Sequence, residues 1–296
     1  MTKEGLLECA LYSSASIHQP HALKAFLAAS FLQTAFEQND AIWSQVSKLI
    51  SKSELTVTGE FSVQVEAPKF SQVRIARILQ SGIYPAAYQA MWQWHEQKGF
   101  ESIFEFYADL ASKQSDTLSH NITILLAFKC MYPLLKSGQI PVFLNRMTEF
   151  VTSTYYIHSS FPISRNSKEI SLSTLLDACL KQPHFFGHNL ISLAWLIRSK
   201  ETFTPTQLAQ IYLHLYNQAT LPLEDPEDML DESILKSLES SSATFQQNIN
   251  ALIFDDCINL HQVTLADALV LLEKEFPSHS NEINKIAKYF AVWLKN

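Results

Sequence analysis

Apolar residues recur along most of the chain at three- and four-residue intervals, the pattern of helices that bury one face. Residues 22–37 carry Leu23, Phe26, Leu27, Phe31 and Leu32 in that spacing, and 40–51 predict a partner helix capped by Asn39 or Asp40. Further helices are predicted at 4–14, 71–82, from Pro85, at 100–113, at 169–181 from a cap at Ser167 or Ser171, and at 243–256. One stretch breaks the rhythm. In 54–68, Leu55, Val57, Phe61, Val63 and Val65 alternate with polar residues around Thr58-Gly59, which predicts a short β-hairpin or an extended insertion.

The pattern is richest from Pro183 to Pro222. A histidine, His188, leads an apolar helix; a break follows at Ser199–Phe203; then Thr204 caps and Pro205 opens a second helix. The unit recurs. His120 leads HNITILLAFKCM, with a break and Pro141 before the next helix, and shares the His-Asn-aliphatic start of His188-Asn189-Leu190. His21 leads HALKAFLAASFLQTAF and His261 leads HQVTLADALVLLEKEF, each with a second helix behind it. Short breaks make the paired helices antiparallel. The expectation is one all-α domain over 1–296, an irregular array of antiparallel helical hairpins.

Composition narrows the function. A net charge of −7 with 22 Lys+Arg and no basic tract argues against nucleic acid or acidic membranes as partners. No apolar run reaches the ~18 residues a membrane span needs. Four cysteines lie far apart without a CxxC pair, as suits free thiols, and the N-terminus lacks a signal-peptide core, so a cytoplasmic chain is expected. Six glycines leave no GxGxxG, P-loop or GxSxG, hence no nucleotide-cofactor signature. Between Glu224 and Ser233 six carboxylates gather around Asp225, the expected cap of a helix opened by Pro226, where acidic residues match the helix dipole.

The candidate chemistry is imidazole. Hairpins stacked in one orientation bring equivalent residues together, so His21, His120, His188 and His261 are the candidate metal ligands, with His188 and His261 also the catalytic candidates. Imidazole suits zinc, copper, iron and nickel. A positive helix start keeps a histidine neutral, with a lone pair for a metal, but several such ends repel a cation and call for a nearby carboxylate; Asp255 and Asp256 are candidates. His18 and His184 are substitute ligands, and His95, His158, His214 and His279 read as ordinary. A Cys257–His261 nucleophile is a weak alternative. Asn189, Trp195, Trp92 and Trp94 are candidate pocket residues, although an aromatic stripe from Tyr88 to Leu110 also reads as core. The plain reading of each histidine is a helix-start residue bonded to the backbone.

The pieces HALKAFLAA, FFGHNLISLAWLIR with QLAQIYLHLYNQATLP, and NLHQVTLADALVLL together resemble the questin oxidase-like family, in the order of that family's histidine-led segments. They cover about a third of the chain. The resemblance implies an all-α oxidase that cleaves an anthraquinone-type ring with O₂, and it points to His21, His188 and His261; His120 comes from the repeat. It departs at Gln262, where the family carries a small residue, and this chain is shorter than the family's. The expected function is a histidine-ligated, iron-dependent (or zinc-binding) oxidase or oxygenase acting with O₂ on a small aromatic, quinone-type substrate. A non-catalytic helical-repeat protein that binds a protein or peptide partner is the alternative.

Overall fold

A computed structural model describes the chain except residues 15–18, 37–39, 58–67, 117, 156–169, 224, 239–241, 256–258 and 294–296. In chain order it contains α1 (Lys3–Leu11), β1 (Ser13–Ser14), α2 (His21–Phe36), α3 (Ala41–Ser53), β2 (Leu55–Thr56), α4 (Gln72–Gln80), α5 (Ala86–Lys113), α6 (His120–Met131) and α7 (Ile140–Thr154). There follow α8 (Leu172–Lys181), α9 (His188–Arg198), α10 (Pro205–Thr220), α11 (Glu232–Ser237), α12 (Phe245–Phe254), α13 (His261–Glu275) and α14 (Ser280–Trp293). The fold is all-α, as the apolar spacing predicts.

Four helices make the inner layer. Helix α13 packs most extensively against α2 and α9, α2 packs on α6, and α6 on α9, which closes a ring. The four run parallel. Lys24 and Thr123, each three residues after its leading histidine, are level and bonded. Further along, Phe31 meets Trp195, and Arg198 reaches Asp267. Helices buried on all sides need apolar residues all round. In α6 every residue from His120 to Phe128 is buried. The second helices of the hairpins, α3, α7, α10 and α14, lie outside this ring, and one hydrophobic core joins the layers from Leu6 to Ala291.

Local chemistry sets the starts. Thr204 with Gln207 and Thr244 with Gln247 form capping boxes on α10 and α12, and Ser171 caps α8. The two aromatic-rich helices meet within α5 at Gly99, whose φ of 77° suits a residue without Cβ. Their stripe is core. Phe100 stacks on Tyr132 with ring centres 4.3 Å apart, and Trp94 is buried with its indole N–H donated to Ser102.

Three sequence expectations change. Leu55–Thr56 pairs antiparallel with Ser13–Ser14, a partner the alternation did not indicate, and the rest of the expected hairpin, 58–67, lies outside the described residues. Ser13–Ser14 accordingly leave the first helix, which stops at Leu11. The acidic segment starts its helix at Asp231, which accepts from the Ser233 and Ile234 N–H groups; Pro226–Asp228 form only a 3-10 turn. No helix among the described residues is long and apolar enough to cross a membrane.

Candidate metal centre

The parallel ring brings the four leading histidines together at one end. Each is the first residue of its helix. Ring centres lie 5.0 Å apart for His21–His120, 5.1 Å for His120–His188, 4.6 Å for His188–His261 and 5.2 Å for His261–His21.

The turns before these helices explain the aim of the side chains. Asn121 donates its amide to Gln114 O, and Asn189 donates to Gln182 O, so each asparagine clamps the last turn of the preceding helix seven residues back. The histidine beside it is then directed inward. At His261 the device differs. Asn259 Oδ1 accepts the His261 backbone N–H, while the Asn259 N–H donates to Gln262. Gln262 therefore holds the turn that positions His261.

Hydrogen-bond partners fix the protons. His188 Nδ1 faces the Phe185 carbonyl, which can only accept, so Nδ1 carries hydrogen and Nε2 a lone pair. His261 Nδ1 lies 2.6 Å from Asn259 Oδ1, already identified as oxygen by the backbone N–H it accepts, so Nε2 is again the lone pair. His21 Nδ1 faces Glu54 Oε1 at 3.5 Å. Nε2 of His21 and of His261 are buried without a partner among the described residues, and His188 Nε2 lies 3.1 Å from His120 Nε2. An unpaired buried polar atom costs about 1–3 kcal/mol. A metal ion satisfies such lone pairs, and ligands whose far nitrogen is anchored to a carbonyl, amide or carboxylate are the usual arrangement around one.

The spacing fits a metal in part. One nitrogen from each of His21, His120 and His261 lies within 4.8 Å of the others. Bonds of 2.0–2.1 Å imply ligand atoms ~3.3 Å apart in a tetrahedral site. The His120–His188 pair already has that separation, and the trio would close inward on binding.

Electrostatics hold the imidazoles neutral. Burial, then the Lys24 charge, pushes His21 down to about 3. Burial drives His120, His188 and His261 well below the usual imidazole range, with Lys24 and the neighbouring imidazoles adding to it. Lys24 is fully enclosed; burial lowers it to about 7, and its Nζ donates to Thr123 at 3.0 Å. Burial raises Glu54 to about 8. The four converging helix starts add positive potential, which Glu54 can offset when ionised.

Lys24 and Glu54 were not among the candidates from sequence. The carboxylate at the centre is Glu54; Asp255 is exposed at the end of α12, and Asp256, Cys257 and His18 lie outside the described residues. His184 is turned away from the ring, accepting the Phe185 N–H and facing Asp228 at 3.5 Å. The pocket candidates also move. Asn189 is enclosed, with both ends of its amide bonded to Gln182 and Gln218. Trp195 packs against Phe31 and Arg198, and Trp92 against His95. The aromatic rings against the histidines are Phe185, stacked on His188 at 5.8 Å and 17°, and Phe186, stacked on His261 at 5.4 Å and 22°. Free Cys9, Cys130 and Cys179 form no pair with a histidine of the ring.

No protein-family model matches the chain, and no curated protein or solved structure does either.

Proposed function

We propose that the chain is a histidine-ligated, metal-dependent oxidase or oxygenase of the questin oxidase-like kind, acting with O₂ on a small aromatic, quinone-type molecule. The observation that carries the metal is the convergence of buried Nε2 atoms: those of His188 and His261 carry lone pairs, and those of His21 and His261 have no hydrogen-bond partner among the described residues. His120 completes the ligand set. Iron bound there would supply the one-electron chemistry that reaction of O₂ with a closed-shell molecule needs; the donors alone suit zinc equally.

The chain's own groups have separable roles. Phe185 O, Asn259 and Glu54 hold the Nδ1 sides of three imidazoles and keep the Nε2 sides turned inward. Lys24 and Glu54, lowered to about 7 and raised to about 8, each exchange a proton near neutrality. A helical module for a protein partner gives no reason for orphaned imidazoles inside the core.

The test is O₂ uptake by protein loaded with Fe(II), against a panel of hydroxylated naphthoquinones and anthraquinones. Uptake that needs both iron and one of these compounds, and that disappears in His188→Ala and His261→Ala, is the expected result. Iron-loaded protein without uptake across the panel would overturn the oxidase reading.

A further inference from the structure

Helix α7 buries more polar groups than its outer position calls for. Every residue from Val142 to Thr152 is buried, among them Arg146, Thr148, Glu149 and Thr152. Most of these groups are accounted for. Thr148 Oγ1 donates to Leu144 O, and Thr152 Oγ1 donates to Thr148 O. Glu149 Oε1 accepts from the Tyr88 hydroxyl at 2.9 Å and from Arg146 Nη2 at 2.7 Å. The hydroxyls of Tyr84 and Thr152 are bonded at 2.6 Å. What remains lies on one side chain. Arg146 is 3% exposed, and its Nε and Nη1 are closed to solvent without a partner among the described residues.

The surplus is one of donors. A guanidinium presents N–H groups only and keeps its proton, so the N–H groups of Nε and Nη1 call for an acceptor. A buried charged donor left unpaired costs more than a neutral one. Neither a cation nor another donor relieves that cost. A planar carboxylate suits a guanidinium edge and makes the stronger, charge-assisted bond. Glu149 limits the charge it can carry. The carboxylate on Nη2 already neutralises the guanidinium, and a dianion would bring two further negative charges beside it.

The surroundings limit the size and set the way in. Tyr84 is 45% exposed, and its ring meets Tyr88 edge-on with centres 5.0 Å apart, so the two phenols form the outer wall of the cluster. A Cβ added to Gly82, just before them in the chain, would approach only Thr152, at 3.8 Å, which leaves room beside the Tyr84–Thr152 bond. Nitrogens enclosed behind these rings admit a small molecule rather than a protein segment.

We propose that Arg146, held by Glu149 behind Tyr84 and Tyr88, is the binding site for a small organic monocarboxylate. The site is separate from the histidine ring. Tyr155 donates its hydroxyl to Asn121 O, beside His120, and Arg146 sits about 13 Å back along α7 by helix rise.

The test follows the side-chain Nε–H signals of the five arginines by NMR of the full chain grown with isotope-labelled arginine. The Arg146 signal is the one lost in Arg146→Lys. Should that variant not fold, Glu149→Gln, which changes the acceptor on Nη2 and keeps its shape, marks the signal by the shift it causes. Sodium acetate is the probe, with sodium chloride at equal ionic strength as the control. Acetate should shift the Arg146 signal saturably and leave the others in place, and chloride should not shift it. Glu149→Gln removes the like charge, so it should bind acetate at least about tenfold more tightly. An Arg146 signal that acetate does not move would overturn the proposal and leave water as the acceptor. So would a response to inorganic phosphate without one to acetate, or a Glu149→Gln affinity no higher than that of the wild type. These outcomes are independent of whether the histidines take up a metal.

Discussion

Replacing Gly187 with alanine perturbs the backbone and the packing of the centre together. Gly187 precedes His188 with φ 77° and ψ 24°. A side chain in this left-handed region costs roughly 1–2 kcal/mol. A Cβ there would also stand 2.6 Å from Cδ1 and 3.4 Å from Cγ of Leu265 on α13. Leu265 is fully buried, so it has no open space to rotate into. Overpacking of this kind adds roughly 1–3 kcal/mol. The sum is about 2–5 kcal/mol, read as a lower urea midpoint with unchanged slope. The two parts separate in a double-mutant cycle. Gly187→Ala combined with Leu265→Ala relieves the clash but not the backbone strain, so the pair should be about 1–3 kcal/mol less destabilised than the two single variants added. A cost of Gly187→Ala within about 0.5 kcal/mol, or strict additivity in the cycle, would refute this account of how α9 and α13 hold His188 and His261 together.

Three other outcomes follow from named contacts. Arg198→Met strands the buried Asp267 carboxylate, which accepts two guanidinium bonds at 2.8 and 2.9 Å; it should cost roughly 3–5 kcal/mol in urea unfolding, and adding Asp267→Leu should restore most of it. Lys24→Met should stabilise the chain most at pH 6–7, by several kcal/mol to order of magnitude, because below its folded value of about 7 the lysine is charged in both states and its burial penalty is complete. As pH rises from 7 toward 10.5 the folded wild type sheds that proton while the unfolded chain keeps it, so wild-type stability gains and the advantage of the variant shrinks; an advantage independent of pH would contradict this. Asn259→Ala frees His261 Nδ1, and Zn(II) affinity by competition titration should fall roughly 10–100-fold.

Much of the fold was legible because helix starts are local events. A histidine ahead of an apolar run, with a second helix behind it, marked where all four inner helices start. Their convergence was inferred from repetition alone, and the parallel ring accounts for it. What escaped depends on distance along the chain. Glu54 reaches His21 only through the fold. The partner of Leu55–Thr56 is Ser13–Ser14, whose polar pair has no alternation to announce a strand. Lys24 did leave a signal. It is the only Asp, Glu, Lys or Arg residue in HALKAFLAASFLQTAF, and a helix apolar on every face must bury whatever charge it carries. The position of Asn189 beside His188 in sequence says nothing of the Gln182 carbonyl and Gln218 amide that occupy its side chain. Trp92 and Trp195 suited a pocket by residue type, yet the rings at the centre are Phe185 and Phe186, set there by a left-handed turn no periodicity reveals.

Four helix-start histidines that form one metal site should hold an ion through ordinary purification. Elemental analysis of the untagged protein, purified without chelators beside His261→Ala, tests it most directly. The expected result is about one equivalent of iron or zinc in the wild type, lost in the variant while the circular dichroism spectrum stays the same. Absence of metal from both proteins, with no uptake of added Fe(II) under reducing conditions or of Zn(II), would contradict it.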